Sequence, residues 1–92
     1  MKRLAYSRRF LKQLERLSVR DQEAVEKAFR IFWDGLQKGA FPKGLGLKKM
    51  AIDEYEIRVG LRIRIGINQD RDLFVAQLLG NHEDIRNFLK NY

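Results

Sequence analysis

The chain has 92 residues, enough for one small domain over residues 1–92, and its lack of cysteine excludes disulfides and thiolate metal sites. Nineteen lysines and arginines against twelve aspartates and glutamates give a net charge of +7, which favours a polyanion or an acidic protein as partner. The single histidine argues against a histidine-based zinc site. We find neither the ~7–15-residue apolar core of a signal peptide nor a ~20-residue apolar segment for crossing a membrane, so we expect a cytoplasmic protein with no membrane partner.

The first half of the chain predicts a short strand and a helical hairpin. Arg3–Tyr6 is the candidate strand, and Ser7 is the expected N-cap of a helix over Arg8–Leu17. Ser18 opens a second helix, which Gly39 ends. Apolar residues recur at three- and four-residue spacing along both helices, as they do on the buried face of an amphipathic helix. Because both serines of the chain have capping roles, we do not expect a serine triad.

Three aromatic residues of the second helix are candidates either for stacking on bases or for the core. Phe29, Phe32 and Trp33 follow one another at a spacing that is far more often that of a buried face. Trp33 lies off the main apolar stripe. We therefore expect the two phenylalanines in the core and regard Trp33 as a candidate interface residue.

The second half of the chain predicts the rest of the sheet. The expected strands are Leu47–Ile52, Tyr55–Val59, Leu61–Ile67 and the apolar Leu73–Leu79. A loop over Gly80–Asp84 leads to a last short helix, Ile85–Lys90, which starts at Glu83 or Asp84. Helices come early and strands late, which predicts an α+β fold. Its N-terminal helical hairpin packs on a twisted antiparallel sheet, in the order β-α-α-β-β-β-α.

The segment Tyr55–Gly66 alternates charged and apolar residues around Gly60. Side chains of a strand point to opposite faces in turn, so this alternation predicts Arg58, Arg62 and Arg64 on one face of the sheet. The other face would carry Tyr55, Ile57, Val59, Leu61, Ile63 and Ile65. Arginine is well shaped for a bidentate grip on phosphate, which favours a nucleic-acid partner. The alternative is a solvated face on which Glu56 neutralises Arg58.

The chemistry open to this chain is mostly basic. It has no Gly-rich phosphate loop and no clear pair of metal-binding carboxylates. The basic candidates are Lys48, Lys49, Arg58, Arg62, Arg64 and His82. Cleavage of RNA needs an aligned 2′-hydroxyl, a stabilised phosphorane and the transfer of two protons, so it requires no metal or other cofactor.

Arginines can stabilise the phosphorane, and His82 is the candidate for proton transfer because histidine is the residue type that most readily exchanges protons near neutrality. The alternative for His82 is an exposed loop residue that pairs with a nearby carboxylate. Lys48 and Lys49 are adjacent, so only one of them can face the same site as the arginines.

Three segments follow the helical hairpin: LKKM at Leu47–Met50, YEIRVGLRIRI at Tyr55–Ile65 and LLGNHEDIRNFL at Leu78–Leu89. Their order and spacing resemble those of the RelE/ParE superfamily of bacterial toxins from type II toxin–antitoxin modules, over nearly the whole chain. The resemblance implies a small α+β fold. It also implies mRNA cleavage in the ribosomal A site, in which the 2′-hydroxyl attacks and leaves a 2′,3′-cyclic phosphate. The expected protein partner is an acidic antitoxin that wraps the toxin and covers its basic face.

The same resemblance assigns roles by position. Arg58 matches a basic residue of the second strand of the family's sheet, and Arg62 matches the arginine placed on the scissile phosphate. His82 falls where members of the family place an arginine or a histidine near the leaving group. Lys48 or Lys49 would help to bind RNA or the ribosome.

The chain departs from the family pattern at three places. Glu56 stands where the best-known RelE pattern has a lysine. The predicted hairpin is short, which leaves open whether Arg62 or Arg64 holds the phosphate. Many nuclease members end with a tyrosine that joins the site, whereas here Phe88 occupies the nearest register and Tyr92 is the terminal residue.

The sequence therefore predicts a toxin that is a metal-independent, ribosome-dependent mRNA endoribonuclease and inhibits translation. The predicted catalytic residues are Arg58, Arg62 and His82, and the predicted RNA- or ribosome-binding residues are Lys48, Lys49 and Arg64. Two alternatives stay open. One is a ParE-type inhibitor of DNA gyrase without nuclease activity, and the other is a non-toxic relative that acts only as a repressor partner.

Overall fold

Five strands and three α-helices are present in the computed structural model, which describes the backbone of residues 1–90 and the side chains of residues 1–88. Their bounds are β1 Arg3–Tyr6, α1 Arg8–Glu15, α2 Val19–Lys38, β2 Lys48–Ala51, β3 Glu54–Val59, β4 Ile63–Asp70, β5 Leu73–Gly80 and α3 His82–Lys90, with a 3₁₀ turn at Lys43–Leu45. The α+β class is confirmed. The observed order has one strand more than the predicted order counted, because all four extended segments after the helices form strands.

The sheet has the strand order β1-β5-β4-β3-β2 and is mixed. Its β2–β3, β3–β4 and β4–β5 pairs are antiparallel as expected, but β1 runs parallel to β5, whereas the predicted sheet was wholly antiparallel. Side-chain alternation carries no information about the relative direction of strands that lie far apart in the chain. Ser7 ties the two strands together, because its N–H donates to the Ala76 carbonyl at 2.9 Å and its hydroxyl to the Gln77 carbonyl at 3.0 Å.

The ends of the two hairpin helices are set by the predicted residues. The hydroxyls of Ser7 and Ser18 each accept a backbone N–H of the first turn at 3.1 Å, and Gly39 ends α2 in the left-handed conformation at φ 76°. These caps confirm the predicted starts of both helices and the predicted end of the second helix. The first helix ends at Glu15, before the predicted Leu17.

The hydrophobic core lies between this hairpin and one face of the sheet. Its buried members are Phe10, Val25, Ala28, Phe29, Phe32 and Leu36 from the helices, Leu45 from the connecting loop, and Ile57, Val59, Ile65, Ile67, Phe74, Ala76 and Leu79 from the strands. The side chain of Trp33 keeps 39% exposure, so the expected division between core phenylalanines and a surface tryptophan is confirmed. Within residues 1–90, no helix is both long enough and apolar enough to cross a membrane.

The turn between β3 and β4 differs from the prediction. Val59 pairs with Ile63, so residues 60–62 form the connection and β4 begins at Ile63, not at Leu61. Gly60 takes a positive φ of 65°, which is available to glycine at little cost. Leu61 was expected on the apolar face, but it is 94% exposed and does not lie there. A chain cannot reverse within the single residue that the alternation pattern left for the turn.

Candidate functional site

The face of the sheet opposite the helical hairpin gathers most of the predicted basic residues. In antiparallel pairs, directly opposed residues project to the same side, and so do alternate residues of one strand. Lys48 lies opposite Glu56, and Arg58 lies opposite Arg64. Glu56 and Arg58 are alternate residues of β3, so all four side chains share one face. We call the surface formed by Lys48, Arg58, Arg64 and His82 the basic face.

The register decides between the two adjacent lysines. Lys49 lies opposite Tyr55, and the side chain of Tyr55 packs against the core. Lys49 therefore projects to the core side of the sheet, away from the basic face. Of the pair, only Lys48 lies on the basic face.

Arg62 does not lie on a strand, so the prediction of three strand arginines on one face is wrong for this residue. It is an exposed residue of the 60–62 turn at the end of the β3–β4 hairpin. The reason is the three-residue connection, which removes Arg62 from the alternation. Its predicted contact with phosphate stays a prediction.

Arg58 and Arg64 face each other across the strands but have different surroundings. The Arg64 side chain is only 15% exposed. Its Nη1 donates to the carbonyls of Leu61 at 3.4 Å and Ile63 at 3.2 Å, and its Nε lies 3.6 Å from Glu56 Oε1. Arg64 thus braces the hairpin turn and holds a carboxylate.

Arg58 is exposed, and among the side chains described no carboxylate lies within ion-pair distance of it. Its stem lies against Gly46, where an added Cβ would come within 2.9 Å of Arg58 Cβ and 3.3 Å of its Nε. Gly46 also has a positive φ of 66°, so a larger residue there is disfavoured by backbone as well as by space. The guanidinium of Arg58 is the freer one for an external anion.

Glu56 is the residue whose partners sequence reasoning missed. Its side chain is 6% exposed and lies between two basic side chains: Oε1 is 3.6 Å from Arg64 Nε, and Oε2 is 3.4 Å from His82 Nδ1. Among the described residues, Oε2 accepts no well-aligned hydrogen bond. Glu56 was expected as a possible neutraliser of Arg58, and only the fold shows that it serves Arg64 and His82 instead.

His82 reaches Glu56 because α3 packs on this side of the sheet. Ile85, one turn after His82 on the same side of α3, is 1% exposed and packs over Gly66, where an added Cβ would lie 3.3 Å from Ile85 Cδ1. Gly66 lies opposite Glu56 in the sheet, so the helix that covers Gly66 carries His82 to the neighbouring carboxylate.

The start of α3 corrects the predicted loop. Asn81 Oδ1 accepts the N–H of Asp84 and Asp84 Oδ2 accepts the N–H of Asn81, both at 2.8 Å. This reciprocal pair is a capping box, and it begins the helix at His82 rather than at Glu83 or Asp84. The Asn-x-x-Asp spacing is the sequence signal that could have located it. His82 is therefore a first-turn helical residue, with its side chain 49% exposed.

Phe88, the residue in the register of the family's tyrosine, lies towards α1. The guanidinium of Arg9 stands 5.8 Å from the centroid of its ring. The other residue considered for that role, Tyr92, lies outside the described residues. No group of three or more His, Asp and Glu side chains among the described residues is arranged to hold a metal ion.

The arrangement brings together groups that can act on a phosphodiester. Arg58 and Lys48 offer positive charge to an anion, and His82 offers a half-exposed imidazole that can exchange a proton. Arg64 and Glu56 form a buried support beneath them.

An apolar groove lies apart from this site. It has a volume of about 580 Å³ and is lined by residues of β1, α1 and α2, among them Tyr6, Leu11, Phe29 and Trp33. Tyr6, Leu11 and Trp33 are 44%, 45% and 39% exposed, which is high for large apolar side chains on one surface. None of the basic-face residues lines the groove.

The fold is that of the RelE- and YafQ-type toxins. Neither protein-family models nor curated protein sequences give a match to this chain. Solved structures do: the toxin–antitoxin complex DinJ–YafQ of E. coli aligns with a TM-score of 0.72 at 11% identity, over 91% of this chain and 96% of the other. The RelB–RelE antitoxin–toxin complex of Methanococcus jannaschii aligns with a TM-score of 0.65 at 20% identity, again over 91% and 96%.

Proposed function

We propose that this chain is the toxin of a type II toxin–antitoxin module and acts in the cytoplasm as an mRNA endoribonuclease on the ribosome. Two observations support the proposal: a fold shared with RelE and YafQ over nine-tenths of the chain, and the grouping of basic-face residues. The observation that carries it is the position of the imidazole of His82, which lies 3.4 Å from a carboxylate that also holds Arg64. Arg58 projects beside them on the same face.

The chemistry follows from what RNA already contains. The 2′-oxygen attacks the adjacent phosphorus, the bond from phosphorus to the 5′-oxygen breaks, and a 2′,3′-cyclic phosphate remains. One proton leaves the 2′-hydroxyl and another joins the 5′-oxygen. His82 transfers one of these protons. The chain has no second histidine, so the partner for the other proton is a different side chain, a group of the ribosome, or water.

The cations have separate tasks in this proposal. Arg58 contacts the scissile phosphate and stabilises the negative charge that grows on its oxygens. Lys48 and the turn residue Arg62 bind flanking phosphates of the message or of ribosomal RNA, where positive charge increases affinity and speeds association. Lys49, on the other side of the sheet, contributes only to the general positive field. Arg64 keeps the hairpin and Glu56 in place.

The test is the mapping of transcript 5′ ends after brief induction, together with cleavage of message on purified ribosomes. We expect Arg58→Ala and His82→Ala each to lower the cleavage rate on the order of 10²–10³-fold, since each removes a group that acts in the transition state. Arg62→Ala should cost less, because its side chain is outside the basic face. Arg20→Ala, on the exposed side of α2, removes the same charge far from the site and should cleave normally.

The alternatives predict other outcomes of the same experiment. Growth arrest with unchanged transcript ends and damaged DNA would replace the nuclease with a ParE-type inhibitor of gyrase, and His82→Ala would then stay toxic. No arrest and no cleavage would indicate a non-toxic repressor partner.

The proposed protein partner is an acidic antitoxin. Both structural neighbours described above were solved as complexes of a toxin with its antitoxin. The +7 charge of this chain suits an acidic partner. The apolar groove beside Trp33 suits an apolar segment of the same partner, because it would cover the large side chains that are exposed there. The neighbouring reading frame is the place to look for it.

A further inference from the structure

Glu56 is a buried acid in a place where a neutral residue would be less costly. A carboxylate that is 6% exposed loses most of its hydration, and the loss is compensated only by nearby positive charge or hydrogen bonds. Among the described residues, the basic side chains within ion-pair distance of it are those of Arg64 and His82, both of the basic face.

The two oxygens of Glu56 have different surroundings. Oε1 lies beside Arg64, whose guanidinium is itself fixed by two carbonyls of the hairpin turn. Oε2 is shielded from solvent, and among the described side chains the basic nitrogen within ion-pair distance of it is His82 Nδ1, at 3.4 Å and without hydrogen-bond alignment. Such contacts in a free enzyme often shorten and align only when substrate is bound. The carboxylate is therefore anchored on one side and open to the imidazole on the other.

The imidazole has the complementary arrangement. Ile85 over Gly66 and the capping box of Asn81 and Asp84 fix the helix that carries His82. The ring is 49% exposed with Nδ1 towards the buried carboxylate. The partner of one ring nitrogen decides which nitrogen carries the proton and which is left for chemistry.

From this geometry we propose that Glu56 is a positioning residue for His82. Its Oε2 accepts the Nδ1–H of the imidazole and so keeps Nε2 directed outward, where it takes a proton from the RNA or returns one to it. Glu56 acts through His82 and does not touch RNA, because so little of its side chain is exposed. This role rests on the proposed nuclease function, but its structural part can be measured without RNA.

Nuclear magnetic resonance of the ¹⁵N-labelled imidazole tests the structural part. The chain has one histidine, so its ring signals need no assignment. We expect the neutral ring to be the Nδ1–H tautomer in the wild type and to shift towards the Nε2–H tautomer in Glu56→Gln. An identical tautomer in both proteins would overturn the proposal. If Glu56→Gln does not fold, Glu56→Asp withdraws the carboxylate by one methylene and should shift the tautomer in the same direction.

Cleavage kinetics test the functional part. Glu56→Gln should lower kcat on the order of 10²-fold with KM little changed, since substrate binding is left to Arg58 and Lys48. In a His82→Ala background the same substitution should have no further effect, because its influence passes through the ring. A full additional loss in that background would mean that Glu56 acts on RNA directly, and would contradict the positioning role. If the tautomer shifts as expected but the protein cleaves no RNA, the interaction of Glu56 with His82 is supported and the proposed nuclease function is rejected.

Discussion

At the scale of single residues, identical side chains acquire different roles from small differences in their surroundings. Arg58 and Arg64 are opposed across two strands and belong to the same alternating pattern. Arg64 is close to the turn, where carbonyls accept its N–H groups, and it is 15% exposed. Arg58 lies against the backbone of Gly46 and remains exposed. Arg64 therefore stabilises the site, and Arg58 is available to a ligand.

Glu54 lies on the same side of β3 as Glu56 and offers a test through pH. Burial raises its pKa above the ordinary value of 4.5, the charge of Asp53 raises the pKa further, and a 2.8 Å hydrogen bond from Asn68 opposes the rise. The folded protein thus binds this proton more tightly than the unfolded chain does. The stability that the Glu54 carboxyl contributes is fully present below pH 4.5 and is lost as pH rises through the folded-state pKa.

We therefore expect Glu54→Gln, which cannot ionise, to gain stability relative to the wild type as pH rises. The free energy of unfolding, measured in urea at pH 4 and at pH 7, should favour the variant more at pH 7. The exposed Glu23→Gln on α2 serves as control and should show no such trend. A difference between Glu54→Gln and wild type that is constant with pH would refute the expectation.

At the scale of elements, one extra residue in β5 directs the last helix to the basic face. Ala76 pairs with Ile67 and Leu78 with Gly66, so Gln77 is a bulge. A bulge shifts the alternation of the strand by one residue. Gly80 then lies opposite Arg64, and α3 leaves the sheet on that side. Without the bulge, α3 would not begin on the side of the sheet that carries the basic face.

The N-terminal cap of α3 can be tested against a matched cap elsewhere. Asn81→Ala removes the capping side chain of α3, and Ser18→Ala removes that of α2. Each should lower the free energy of unfolding by about 1 kcal/mol, as measured by urea denaturation.

Only Asn81→Ala loosens the turn that carries His82, so only this variant should lose ribosome-dependent cleavage beyond the loss of stability. Equal cleavage by the two variants would show that the cap stabilises the fold without positioning the imidazole.

At the scale of the whole molecule, the basic face and the apolar groove are separate surfaces. The basic face lies on the side of the sheet away from the helical hairpin, and the groove is formed by β1 and that hairpin. A partner that covers the groove need not contact the residues of the basic face. One chain can therefore present separate surfaces to the proposed antitoxin and to the proposed RNA substrate.

Trp33→Ala should separate the proposed antitoxin binding from the proposed RNA cleavage. Removing a half-exposed indole from the groove is expected to weaken antitoxin binding by at least about tenfold, because tryptophan dominates many interfaces. Cleavage should be unchanged. Titration calorimetry with the protein from the neighbouring reading frame measures the loss of antitoxin binding. Val19→Ala is the control, because Val19 is an exposed apolar residue of the same helix outside the groove. Unchanged affinity in Trp33→Ala would assign the antitoxin to another surface.

The local features of this protein follow from the sequence alone. Serine caps, the glycine stop and helical periodicity act within a few residues, so the two hairpin helices were predicted close to their observed bounds. Strand alternation likewise separated Arg58 and Arg64 from the buried isoleucines, because the pleat has a strict two-residue period.

Only the tertiary structure decided what depends on register and on distant pairing. The three-residue turn removed Arg62 from the face, the β2–β3 register selected Lys48, and β1 joined β5 in parallel. The bulge at Gln77 and the packing of Ile85 on Gly66 brought His82 to Glu56 from 26 positions along the chain. Contacts of this kind arise from the simultaneous packing of several elements, and no local pattern of residues encodes them.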